Sequence, residues 1–170
     1  SVNLYAVWEA ITYYVAFDAN TGDGATMATM TVKYDEKVAL TDNSYTKTGY
    51  DFGGWAETAD GEKVYGDKAE IENLTAEDGK TITLFATWTP HVYTITYLAN
   101  NGTFNKDAFA SLTNVTFEKD ENDNITAVKY AYTIEDTVVI LSKDYVVLTG
   151  HTLAGYTFES RAGNWSTNDI

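Results

Sequence analysis

The chain has 170 residues, 44% hydrophobic and 14% aromatic, enough apolar surface for a packed core in one domain or two small ones and too much for wholesale disorder. Its 25 acidic and 11 basic residues give a net charge of −14, which repels nucleic-acid phosphate and anionic lipid and argues against either as a partner. Cysteine is absent and no apolar run reaches the length of a membrane span, so disulfides, thiol chemistry and insertion of a membrane helix are excluded as well.

The chain starts at Ser1 without a leader, which points to a piece of a longer precursor. Its first stretch, Leu4-Tyr5-Ala6-Val7-Trp8, reads as a strand and reappears 80 positions later as Leu84-Phe85-Ala86-Thr87-Trp88. The same shift pairs Tyr13 with Tyr93, Val15 with Ile95, Phe17 with Tyr97, Asn20 with Asn100 and Gly22 with Gly102, without a gap. The chain is therefore an internal repeat: residues 1–10 as the closing strand of a preceding unit, 11–90 as a complete unit, and 91–170 as a divergent one that stops before its own closing strand.

Within the first unit, Asn20-Thr21-Gly22-Asp23-Gly24 and Asp60-Gly61 are turn chemistry between strands. Gly49 and Gly53-Gly54 free the backbone for a tight turn or a close approach. Tyr50, Phe52, Trp55 and Trp88 are the expected structural residues, because a small core depends on a few large rings. Residues 81–88 and 93–99 alternate apolar with Thr-rich positions, the period of half-buried strands. Only Thr89-Pro90-His91 joins them, so tandem units of this kind are expected to form a stiff rod.

The second unit follows the first at a shift of 100 near Tyr132 and of 106 near Gly155-Tyr156-Thr157-Phe158, which places an insertion at about residues 105–126. Its polar run Lys119–Asn124, between Val115-Thr116-Phe117 and Ile125-Thr126-Ala127-Val128, reads as a hairpin tip. There Asp120-x-Asn122-x-Asn124 resembles the start of a calcium loop, but Ile125 stands where glycine is needed and Ala131 where the bidentate Glu belongs. These three residues are weak metal candidates, and no cofactor is implied.

Chemistry needs more than the sequence offers. The two histidines, His91 and His151, lie at the junction and in a loop, and no Gly-x-Ser-x-Gly, His-Glu-x-x-His or P-loop motif exists. Acidic pairs such as Asp35-Glu36 and Glu77-Asp78 lie in turn-like segments, and no motif for a Lys–Asn isopeptide cross-link is visible. The segment is expected to be non-enzymatic. Sugar binding needs exposed rings: Tyr130 and Trp165, with Tyr13 and Tyr14, are not placed in a core by alternation, and the first two are the ligand-binding candidates.

Val15-x-Phe17-x-Ala19-Asn20 with Gly22, Tyr34-x-x-x-Val38-x-Leu40, Gly49-Tyr50-x-Phe52-x-Gly54-Trp55 and Leu84-Phe85-Ala86-x-Trp88 together resemble the internalin-type B-repeat, or Listeria–Bacteroides repeat. The resemblance covers nearly all of residues 11–90 and parts of 91–170, where Arg161 replaces the equivalent of Trp55. It implies a mainly β or α+β chain of tandem small β-grasp-like repeats in an exported protein at the bacterial cell surface or wall. The implied partners are neighbouring repeats, with a host glycan or host protein as further partners. The expected role is a structural spacer and interaction repeat of an adhesin. The alternatives are a carbohydrate- or host-protein-binding module, and an accessory repeat of a large secreted glycan-degrading enzyme. Strand exchange between molecules, with Val2–Trp8 filling the open strand position of another copy's second unit, is a further expectation.

Overall fold

The structure, a computed structural model, describes residues 2–138 and 140–157. The chain is mainly β and divides into two compact units, Ser1–His91 and Val92–Ile170.

The first unit is built on a four-stranded sheet of β1 (Thr12–Asp18), β2 (Met30–Lys33), β4 (Tyr50–Ala56) and β6 (Thr81–Pro90), in the order β2-β1-β6-β4. The first and last of these strands lie parallel at its centre, with Val15 opposite Ile82 and Phe17 opposite Leu84. The outer two run antiparallel to their neighbours. A small ladder of β3 (Val38–Ala39) and β5 (Glu70–Ile71) lies outside this sheet. Side chains two apart turn to one face of each strand: Tyr13, Val15 and Phe17 on β1, and Leu84 and Ala86 on β6, are buried. They meet Val32, Leu40, Tyr45, Trp55 and Ile71 in one core.

Strand β4 carries the main irregularity. Phe52 lies opposite Trp88 and Gly54 opposite Thr87, so Gly53 is an extra residue in the ladder. Phe52 and Trp55 are three apart and would face opposite sides of a regular strand. The bulge rephases them, and both rings turn inward with centroids 5.0 Å apart. Phe17 packs on Trp55 at 4.8 Å and Tyr45 at 6.2 Å, while Phe52 also meets Trp88 at 5.8 Å.

The second unit holds a three-stranded sheet, in the order β7-β10-β9, of β7 (Val92–Leu98), β9 (Val115–Lys119) and β10 (Ile125–Thr133). A short ladder joins β8 (Thr103–Phe104) to β11 (Val146–Val147), and a 3-10 turn spans Lys106–Ser111. The core collects Tyr97, Phe104, Phe109, Val128, Tyr130, Tyr132, Leu141 and Val146. The stretch read as an insertion at about 105–126 holds the 3-10 turn, β9 and the tip that joins it to β10. Phe109 anchors the turn, with Phe104, Phe117 and Tyr145 around its ring.

The two units share one strand register. On β1 and β2, Tyr13 faces Val32 and Val15 faces Met30. On β7 and β10, Tyr93 faces Tyr132 and Ile95 faces Tyr130, the same pairing shifted by 80 on one strand and 100 on the other. The following turns match as well: Asn20 and Thr21 have φ of 45° and 67°, Asn100 and Asn101 of 45° and 71°, and each turn closes by a Gly N–H donating to an Ala carbonyl at 2.9 Å.

The first stretch departs from its reading as a strand. Residues 2–10 carry no secondary structure, and Leu4 and Trp8 are 93% and 87% exposed. Their sequence is that of β6, and in their own unit β6 already occupies the place beside β1. A strand without a ladder leaves its backbone groups to water and has no reason to stay extended.

Candidate functional site

Of the four aromatic residues singled out from the sequence, Phe52, Trp55 and Trp88 come together in the first unit. Trp55 is fully buried, Phe52 and Trp88 are half-buried against it, and Tyr50 sits at the start of β4 with the Lys47 ammonium 4.1 Å from its ring centre. The Trp88 indole N–H is shared between the Ala19 carbonyl at 2.9 Å and the Asn20 carbonyl at 3.1 Å. The Asn20 amide in turn donates to the carbonyls of Ala59 and Ala86. The ring edge of Trp88 lies over Gly22, where a Cβ would come within 2.4 Å of it. The turn is therefore fastened to the last strand by hydrogen bonds and by close approach.

Tyr130 lies where a ligand cannot reach it. It is buried in the second core and stacks beside Tyr132 at 6.3 Å, so its ring offers no platform for a sugar. The reason is the β7–β10 register, which turns Tyr130 inward opposite Ile95. Tyr13, which alternation had left unplaced, is buried in the first core, and Tyr14 is partly exposed on the other face of β1. Trp165, the other ring candidate, lies outside the described residues. So do Phe158 and Arg161, used to align the second copy.

At the hairpin tip, Asp120 is occupied by its own turn. One carboxylate oxygen accepts the backbone N–H groups of Asn122 and Asn124, each at 2.9 Å, and the other accepts the Asn124 amide at 3.0 Å. The amide and backbone hydrogen bonds from Asn124 hold the Asp120 carboxyl below its ordinary value of 3.8. Asp123, with positive φ at the tip, is held low by the Lys119 ammonium 2.6 Å away. The Asp120 oxygens read from the sequence as calcium ligands thus close the hairpin. Among the described residues no group of three or more His, Asp or Glu is placed to hold a metal ion.

His91 lies against Asp51, its Nε2 3.0 Å from the carboxylate, and its backbone N–H donates to the Gly49 carbonyl. His151 contacts the Thr149 carbonyl of its own loop. One surface feature escaped the sequence reading: a groove of about 330 Å³ lined by Glu57, Leu74, Thr81, Ile82, Thr83 and Phe85. Its signal was present in Phe85, the large apolar residue on the Thr-rich face of β6.

Burial also pushes the Tyr97 phenol in the second core up to about 12, a shift that a hydrogen bond with the Leu141 backbone partly offsets. The folded unit keeps this proton more tightly than the unfolded chain, whose phenol has the ordinary value of 10.0. The stabilisation is whole below the unfolded value and is lost as pH rises through the folded one. We therefore expect the urea midpoint of the second unit to decrease as pH rises from the ordinary value of 10.0 to about 12. Tyr97→Phe should flatten that slope. A parallel slope in the variant would show that Tyr97 is not its source.

Among the described residues, no helix is long and apolar enough to cross a membrane. No curated protein and no solved structure matches the chain. A family model does, over residues 13–87, which run from the first buried tyrosine of β1 almost to the end of β6. Residues 13–87 match the Listeria-Bacteroides repeat domain, a family typical of surface-associated bacterial proteins.

Proposed function

We propose that the chain is a non-catalytic structural and interaction repeat of an exported bacterial surface protein or adhesin, holding other parts of that protein away from the cell wall. The observation that carries this reading is where the side chains of the first unit are used. Its buried aromatics pack on one another, Trp88 clasps a turn, and His91 and the acidic side chains lie at turns and at the surface. Such a unit resists deformation but gathers no reactive groups.

The first unit reads as β-grasp-like, because its first and last strands are parallel neighbours at the centre of the sheet with antiparallel strands outside. The shared register of β1–β2 and β7–β10 supports tandem repetition. Acidity suits an extended surface protein, since like charges keep neighbouring molecules apart.

The test places the full chain between a wall-anchored base and a fluorescent reporter on a Gram-positive cell. The reporter should sit farther from the wall than with a Gly/Ser linker of equal length, read by energy transfer from a wall dye. Equal distances would count against a spacer.

The groove beside Phe85 supports a second reading, a carbohydrate- or host-protein-binding module. Binding on a glycan array that is abolished by Phe85→Ala would favour it over the spacer.

A further inference from the structure

We infer that residues Val2–Trp8 of one molecule add as a strand, parallel to β7, to the second unit of another copy of this chain. In the first unit β1 is flanked by β2 on one side and β6 on the other. In the second unit β10 stands to β7 as β2 stands to β1, pair for pair, and β7 is the edge of its sheet among the described residues. The side of β7 that corresponds to the β6 side of β1 is thus a strand position of known shape.

The sequence that fits it is on the page. Leu4, Ala6 and Trp8 are the counterparts of Leu84, Ala86 and Trp88, which make the same face of β6. In the first unit Leu84 and Ala86 are fully buried, whereas Leu4 and Trp8 are almost wholly exposed. The first unit also sets the register. Val15 opposite Ile82, Ala16 opposite Thr83 and Phe17 opposite Leu84 become Ile95 opposite Val2, Thr96 opposite Asn3 and Tyr97 opposite Leu4.

Trp8 then reaches the turn of the second unit as Trp88 reaches that of the first. There Gly102 stands at the place of Gly22, and the carbonyls of Ala99 and Asn100 correspond to those that accept the Trp88 N–H. Atoms of Val146, Val147 and Ala99 are nearest to the position of a Cβ on Gly102, with no ring among them, whereas at Gly22 the nearest atom belongs to Trp88.

Charge permits the pairing. The molecules repel overall, but neither Val2–Trp8 nor β7 contains a charged residue. Salt should therefore strengthen the association by screening the rest of the surface. Donor and acceptor are different surfaces, so the contact is head-to-tail and grows into chains of molecules.

The test uses the absence of native cysteine. Full-length Asn3→Cys is mixed with full-length Thr96→Cys under mild oxidation, and with Thr116→Cys, on β9, as a control. Asn3, Thr96 and Thr116 are all exposed. The mixed disulfide should form with Thr96→Cys and be lost with Thr116→Cys. Light scattering on the cysteine-free chain should show mass rising with concentration and with salt, and Leu4→Asp should abolish the rise. Residues 2–10 carry no secondary structure, so this variant should keep the circular dichroism of the parent. A parent chain monomeric at every concentration, equal cross-linking to both partners, or association unchanged by Leu4→Asp would each overturn the inference. None of these outcomes bears on the spacer reading, which concerns the unit and not its partner.

Discussion

Trp55→Ala should destabilise the first unit by about 3–5 kcal/mol, the cost of removing a large buried ring whose neighbours can only partly close over the gap. The indole is fully buried, with Phe17, Phe52 and Tyr45 on three sides, and no other ring of this core combines complete burial with so many aromatic contacts. A unit of this size has total stability of only about 5–15 kcal/mol. The variant should therefore unfold at much lower urea concentration, followed by circular dichroism and the remaining tryptophan emission. Trp55→Phe should cost far less, about 1–2 kcal/mol. Among the described residues the buried Trp55 indole N–H has no hydrogen-bond partner, so phenylalanine removes an unsatisfied donor along with part of the ring. A Trp55→Ala variant as stable as the parent would mean that the core is organised around something else.

Gly54→Ala is the second change with a large expected effect, although it adds a single methyl group. Gly54 has φ of +133°, a region that side chains rarely enter. A Cβ there would come within 2.5 Å of the Tyr65 carbonyl, which accepts the backbone N–H of Trp55, and within 2.9 Å of the Lys63 side chain. Backbone strain and the clash together should cost about 2–4 kcal/mol and loosen the bulge that turns Trp55 inward. Gly66→Ala is the control, since a Cβ there meets nothing within 4 Å; it should stay within about 0.5 kcal/mol of the parent. Urea unfolding of the two variants side by side measures the difference. Equal effects would remove the special role given to β4.

Much of the first unit was legible in the residues because its signals are local. Alternation marked the inward face of β6. Asn20-Thr21-Gly22 marked a turn that does take positive φ at its first two residues. The candidate site was less legible. Tyr130 was read as a ring free to meet a ligand, yet the facing strand turns it inward. Asp120, Asn122 and Asn124 have the spacing of ligands, but the same spacing suits a carboxylate that caps its own turn, and nothing one-dimensional separates the two uses.

The amino-acid sequence by itself determined the internal match at a shift of 80, the strand period and the large rings available to a core. Those properties depend on neighbours along the chain and on matching one stretch with another. Only the tertiary structure decided that Gly53 would be an extra residue against β6, so that Phe52 and Trp55 share one face despite their odd spacing. It alone decided that two stretches of nearly the same sequence would differ, with Leu84-Phe85-Ala86 central in a sheet and Leu4-Tyr5-Ala6 in solvent. The reason is that a strand is completed by the hydrogen bonds of its neighbours. Whether a neighbour's edge is open or already taken is a property of the assembled sheet, not of the residues that would join it.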